Sequence, residues 1–314
     1  MENKCKLLID TDIGDDMDDA VALLAAMAAG FHIVGVTTVF RDTRSRARMA
    51  KKLLSEFGRG YESVPVYPGL PVWSPGAENR QHMGSFSPDL DQWEPDRGDA
   101  VDFILDSCRR WGKELTVIGL GPFCNLAEAL RRDPEALNLA GRVVIMGGAY
   151  FRQYADWNVM CDPAAADALF RGVSRLECIG ADVTHLLEPD EGLRTQLVYP
   201  DAPDRALAFV SEMCRTWLRD NPREPFRMHD VLVIYHLLDP ALCHMESVRA
   251  AVITEGLAKG LTLNVDGYGK ADLNPAYAGM DPLPRVLVAC RVDTERFFRY
   301  LQRDISLCTL TRNS

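Results

Sequence analysis

Five short, almost wholly apolar runs recur along the chain, at residues 5–9, 33–38, 115–119, 143–146 and 176–179, and the stretches between them carry helical periodicity. Runs this short and this apolar are strands buried on both faces, and strands that alternate with helices form repeated β-α-β units around a parallel sheet. The spacing predicts helices over residues 17–29, stopped by Gly30, and 43–57, stopped by Gly58. Asp162 before Pro163 caps a helix running through Phe170, and Asp293 caps a last helix over residues 294–301. Residues 187–228 turn mostly helical, a small cap over the carboxyl edge of the sheet. Residues 68–97, rich in Pro, Gly and Ser, are too long for a plain connection and read as a lid or binding segment. The expected class is α/β, an open and mainly parallel sheet with helices on both faces, and 314 residues fit one domain of this kind, 1–314.

Composition narrows the partners. A formal net charge of −10 argues against nucleic acid, whose binding draws on Lys and Arg. The basic stretch 41–52 lacks interleaved aromatics and reads as a solvated helix face. The N-terminal residues show no signal-peptide pattern and no apolar run is long enough to span a bilayer, so a cytoplasmic protein without a membrane partner is expected. Nine cysteines occur without a CxxC pair, and Cys5, Cys178 and Cys290, set in apolar stretches, read as reduced core residues.

The chemistry concentrates in LLIDTDIGDDMDDAVALLAA, residues 7–26, where six carboxylates (Asp10, Asp12, Asp15, Asp16, Asp18 and Asp19) crowd a strand end, a glycine turn and a helix start. One or two would cap a helix; six repel one another unless a cation or strong donors sit among them. No His or Cys lies close enough for a zinc pattern, so oxygen ligation of Ca2+ or Mg2+ is expected. An EF-hand is excluded, because Val21 stands where its bidentate Glu belongs. In open α/β sheets ligands bind at the carboxyl ends of strands, where Asp10 and Asp12 fall.

The stretch DTDIGDDMDDAVAL resembles the DTDxGxDDAxAL signature of the inosine-uridine-preferring nucleoside hydrolase family, with two extra residues before the final aspartate pair. The resemblance continues through VIGLGPFCNLAEAL, the MGGA of Met146 to Ala149, ADWNVMCDPAAA, and the His229-Asp230 pair in FRMHDVLVIYHLLDP. It implies a Rossmann-like sheet, a Ca2+ cofactor, a ribonucleoside substrate and a homodimer or homotetramer. It also implies that Asp12, Asp19, Asp230 and the Leu120 carbonyl hold the metal, and that Asp12 doubles as the base that deprotonates water. Asp18 would take a ribose hydroxyl, Met146, Asp156 and Asn158 would contact the sugar, and Asp10 and Asp42 would support the ligands from behind. His229 would assist the departing base, where a histidine on its own reads as a structural hydrogen bonder. His82, in the 68–97 segment, either faces the site or is an exposed loop residue. The chain departs from the family pattern at Arg41-Asp42, where a Gly-Asn pair is usual, and at YFRQY, residues 150–154, where a GN segment is missing; Asp156 also replaces a Glu.

Two rivals use the same residues. LLIDTDIG resembles the haloacid-dehalogenase-like phosphatase motif, with Asp10 as nucleophile and Asp12 as acid, but Ile13 stands where that motif needs Thr or Val, and MGGA, DWN and HD are left unexplained. A calcium- or nucleoside-binding protein without activity would need neither base nor acid. GLGPFC, residues 119–124, is not a dinucleotide turn, since Cys124 replaces the last glycine. Phe209, Trp217 and Phe226 fit core packing better than a base pocket.

Overall fold

The computed structural model describes residues 5–72, 89–268 and 283–309. Its strands are β1 (Lys6–Thr11), β2 (His32–Thr38), β3 (Val66–Pro68), β4 (Leu115–Gly119), β5 (Arg142–Met146), β6 (Leu176–Ile179), β7 (Cys243–Val252), β8 (Thr262–Asn264) and β9 (Arg285–Val292). They form one sheet in the order β3-β2-β1-β4-β5-β6-β9-β7-β8. From β3 to β9 the neighbours pair in parallel, while β7 is antiparallel to β9 and β8 to β7. The chain lays β2 and β3 on one side of β1, then crosses to lay β4, β5 and β6 on the other. That reversal opens a crevice at the carboxyl ends of β1 and β4, the place where such sheets hold ligands.

Successive side chains of β1 feed opposite layers: Leu7 and Ile9 join one core, Leu8 the other. The first core contains the helices Asp18–Ala28, Thr43–Phe57, Arg205–Asp220, Val231–Leu238 and Thr294–Leu307; the second contains Ala100–Trp111, Cys124–Arg132 and Pro163–Gly172. The helix Asp18–Ala28, DDAVALLAAMA, is buried along every residue up to Met27. A helix apolar all round has no solvent face and is enclosed by its neighbours, which here fixes the direction of its amino end.

The expected caps are present: Asp162 accepts from Ala165 N at 3.0 Å and Asp293 from Arg296 N at 3.0 Å. The last helix continues past its expected end to Leu307. Helices Glu191–Val198 and Arg205–Asp220 fill the expected helical region. The described cysteines are all free, and Cys178 is in the core as expected. Cys290 is not: it is part-exposed on β9 beside Glu246, because a register shift there breaks the strand's alternation. The basic stretch also departs from a solvated face. Arg41 and Arg46 are 1% and 0% exposed, drawn inward by carbonyls and Asp15, while Arg44, Arg48 and Lys51 do reach outer acidic partners. Among the described residues no helix is long and apolar enough to cross a membrane.

Candidate active site

The end of β1 is tied to the start of the next helix before any ligand is considered. The Thr11 hydroxyl donates to Asp19 Oδ1 and accepts from Ile13 N at 3.1 Å. Gly14 takes φ 96°, a conformation that favours glycine, and lets Asp15 N return to Asp12 O at 3.1 Å. The turn then delivers Asp18 and Asp19, 2% and 3% exposed, to the first turn of the enclosed helix. From 212 positions away, Asp230 N donates to Asp18 Oδ2 at 2.9 Å. Carboxylate oxygens of Asp18, Asp19 and Asp230 all lie within 4.8 Å of one another.

Burial, reinforced by Asp16, pushes Asp18 up to about 8, and burial with Asp18 beside it pushes Asp19 up to about 7. Asp12 and Asp230 are raised well above the ordinary carboxylate range, by burial first and then by the neighbouring aspartates. Buried acids that raise one another in this way either hold protons or share a cation. The donors are all oxygens, so the set fits a hard divalent ion. Backbone has been cleared beside it: a Cβ at Gly121 would stand 2.7 Å from Asp12 Oδ1. The Leu120 carbonyl, at the end of β4, accepts from Asn158 Nδ2, which also donates to Met146 O at 3.1 Å. Asp156 caps the helix Trp157–Cys161 through Val159 N at 3.3 Å, and burial raises it to about 6.

These groups open on a cavity of about 550 Å3. Asp12, Asp18, Asp19 and Asp230 line it together with Leu120 and Met146. Asp156, Asn158 and His229 line it as well. Asp10 does not; it is fully buried, with Oδ1 accepting from Thr37 Oγ1 and Asn125 Nδ2 at 2.7 Å each, which removes it as a phosphatase nucleophile. Asp42 is also elsewhere: exposed, it caps the helix Thr43–Phe57 by accepting from Ser45 N at 3.1 Å, so it does not support the ligands as expected. His82 lies outside the described residues.

Two features of the cavity, the ring contacts of His185 and the ties made by Asp15, carry no signal in the sequence pattern. Tyr154 stands edge-on to His185, and His185 edge-on to His229, with ring centres 4.7 and 5.4 Å apart. Burial, with the Arg152 and Arg227 cations behind it, lowers His185 to about 4. His229, with Nδ1 2.7 Å from Thr184 Oγ1, is lowered to about 3 by burial, then His185 and the same two arginines. Finally, the lengthened turn uses Asp15 as a tie: it meets Arg41 at 3.3 Å, Arg46 at 3.2 Å and Trp157 Nε1 at 3.1 Å. Phe209, Trp217 and Phe226 pack in the core as expected, and Trp217 also reaches the cavity.

A family model described as inosine-uridine preferring nucleoside hydrolase matches residues 7–299. The chain belongs to that family. As a nucleoside hydrolase it is an N-glycosyl hydrolase of ribonucleosides, and the matched region contains both Asp18 and Asp230. Among its relatives, a probable uridine nucleosidase 1 of Oryza sativa subsp. japonica is 28% identical, over 95% of both chains. A solved plant nucleoside hydrolase superposes with a TM-score of 0.79 at 26% identity, covering 96% of this chain and 99% of that one. A purine-preferring ribonucleoside hydrolase from Gardnerella vaginalis gives 0.77 at 26% identity, covering 98% and 100%.

Proposed function

We propose that this nucleoside hydrolase uses Ca2+, with Asp12, Asp19, Asp230 and the Leu120 carbonyl holding the ion. The reading rests on the convergence of buried carboxylates from distant parts of the chain: those of Asp18, Asp19 and Asp230 come within 4.8 Å of one another, and the Asp230 backbone N–H donates to Asp18 Oδ2 at 2.9 Å. Bound there, a hard cation supplies positive charge that acidifies water and attracts the ribose hydroxyls. Asp12 takes the proton of the attacking water. Asp18 accepts from a ribose hydroxyl, and Asn158 and Asp156 hold the hydroxymethyl end, where a buried carboxylate stabilises the oxocarbenium-like sugar. His229, lowered to about 3, is neutral in the free protein. It therefore assists the base as a neutral imidazole, with Nδ1 beside the Thr184 hydroxyl, rather than as a standing imidazolium.

The similarity to relatives named for uridine and for purine ribonucleosides makes a panel of both the direct test, with free base and ribose measured with and without chelator. Base release that chelator abolishes and Ca2+ restores is expected. Asp12→Asn should keep substrate binding and lose about 10²-fold or more in turnover. Chelator-insensitive release, or full activity in Asp12→Asn, contradicts the proposal; tight binding without base release favours a binding protein instead.

A further inference from the structure

Among the described residues two groups of three ligating side chains come together, the buried aspartates and, on another part of the sheet, His244, Glu246 and Cys290. The second trio shares no residue with the cavity. It is built by the pairing of β7 and β9. His244 pairs with Arg291 and the next residue, Met245, pairs with Ala289, so Cys290 is an extra residue opposite a continuous β7. Such a bulge turns a side chain away from its regular alternation. On β7, His244 and Glu246 are two residues apart and both exposed, so they stand on one face. The bulge brings Cys290 to that face, with Sγ 3.2 Å from Glu246 Oε1 and 3.3 Å from the His244 carbonyl.

We propose that His244, Glu246 and Cys290 form a second metal site, for a borderline divalent ion of the zinc class, with a fourth position open to water. Zinc bonds of about 2.3 Å to sulfur and about 2.0–2.2 Å to nitrogen and oxygen set tetrahedral donors roughly 3.5 Å apart. The sulfur and the carboxylate already stand at 3.2 Å, and the ligating atoms of all three residues lie within 4.8 Å, a gap that exposed side chains close by rotation. The donor set, one imidazole, one carboxylate and one thiol, is the opposite of the all-oxygen aspartate cluster, so the two centres select different ions. On coordination the Cys290 thiol releases its proton to solvent and the thiolate becomes the ligand. Bound metal would join β7 to β9 and stabilise the native state over the unfolded chain.

The test uses the full chain with Ca2+ in excess and Co2+ as the probe, since only a cysteine-ligated cobalt gives thiolate-to-cobalt charge-transfer absorption. One equivalent should produce that band and Zn2+ should displace it. Cys290→Ser should abolish the band and His244→Ala should weaken it, with nucleoside hydrolysis unchanged in both, so this site and the hydrolase reading fail independently. Absence of the band in the wild-type chain, or its persistence at full strength in either variant, overturns the site.

Discussion

Gly121 follows the Leu120 carbonyl and faces Asp12, and a single added methyl would come within 2.7 Å of the Asp12 carboxylate. In Gly121→Ala the new methyl would also stand 2.9 Å from Asp12 Cβ and Cγ, so Asp12 must shift as a unit and cannot simply rotate away. The displacement should lower turnover by about 10²-fold, the cost of a small misplacement of the proposed base, as read from steady-state kinetics. The carboxylates of this site were legible in the sequence because their chemistry is unusual wherever they occur together: Asp12, Asp18, Asp19 and Asp230 all reach one cavity. Arg41, Arg46 and His185 were not. A long cationic side chain follows its backbone, and Arg41 sits at φ 59°, a left-handed conformation that helical periodicity does not encode. His185 acquires its place only when its helix docks beside Tyr154 and His229.

At the scale of elements, the parallel strands buried on both faces announce themselves as apolar runs, and β4 and β6 begin and end where expected. The shortest parallel strand, β3, and the antiparallel wing do not. β3 has three residues, while β7 and β9 are partly exposed and β9 is interrupted by a bulge, so neither shows a clean run nor a clean alternation. The helix Thr43–Phe57 shows how an element can mislead about a residue. Asp42 stands next to Arg41 in sequence, yet its carboxylate points to Ser45 and begins the helix, while Arg41 turns toward Asp15. Asp42→Ala should therefore cost about 1 kcal/mol in urea denaturation, the worth of an N-cap. Turnover should be unchanged; a large loss of activity at normal stability would place Asp42 with the ligands after all.

Taken as a whole, the molecule brings together carboxylates that cannot all be charged without help. Asp18 is raised to about 8 and Asp19 to about 7 from an ordinary 3.8, so the folded, metal-free protein binds protons that the unfolded chain has already lost. A raised carboxylate contributes stability that is full below the unfolded value and is lost as pH rises through the folded one. Without metal, the melting temperature should fall between about pH 4 and about pH 8; with Ca2+ in place of the protons, the fall should disappear. The most direct measurement is a calorimetric Ca2+ titration of the wild-type chain and of Asp230→Asn. One Ca2+ per chain, bound on the order of 10-fold or more weakly once Asp230 loses its charge, is the predicted result. Wild-type affinity in Asp230→Asn would contradict a centre that joins Asp230 to the N-terminal aspartates.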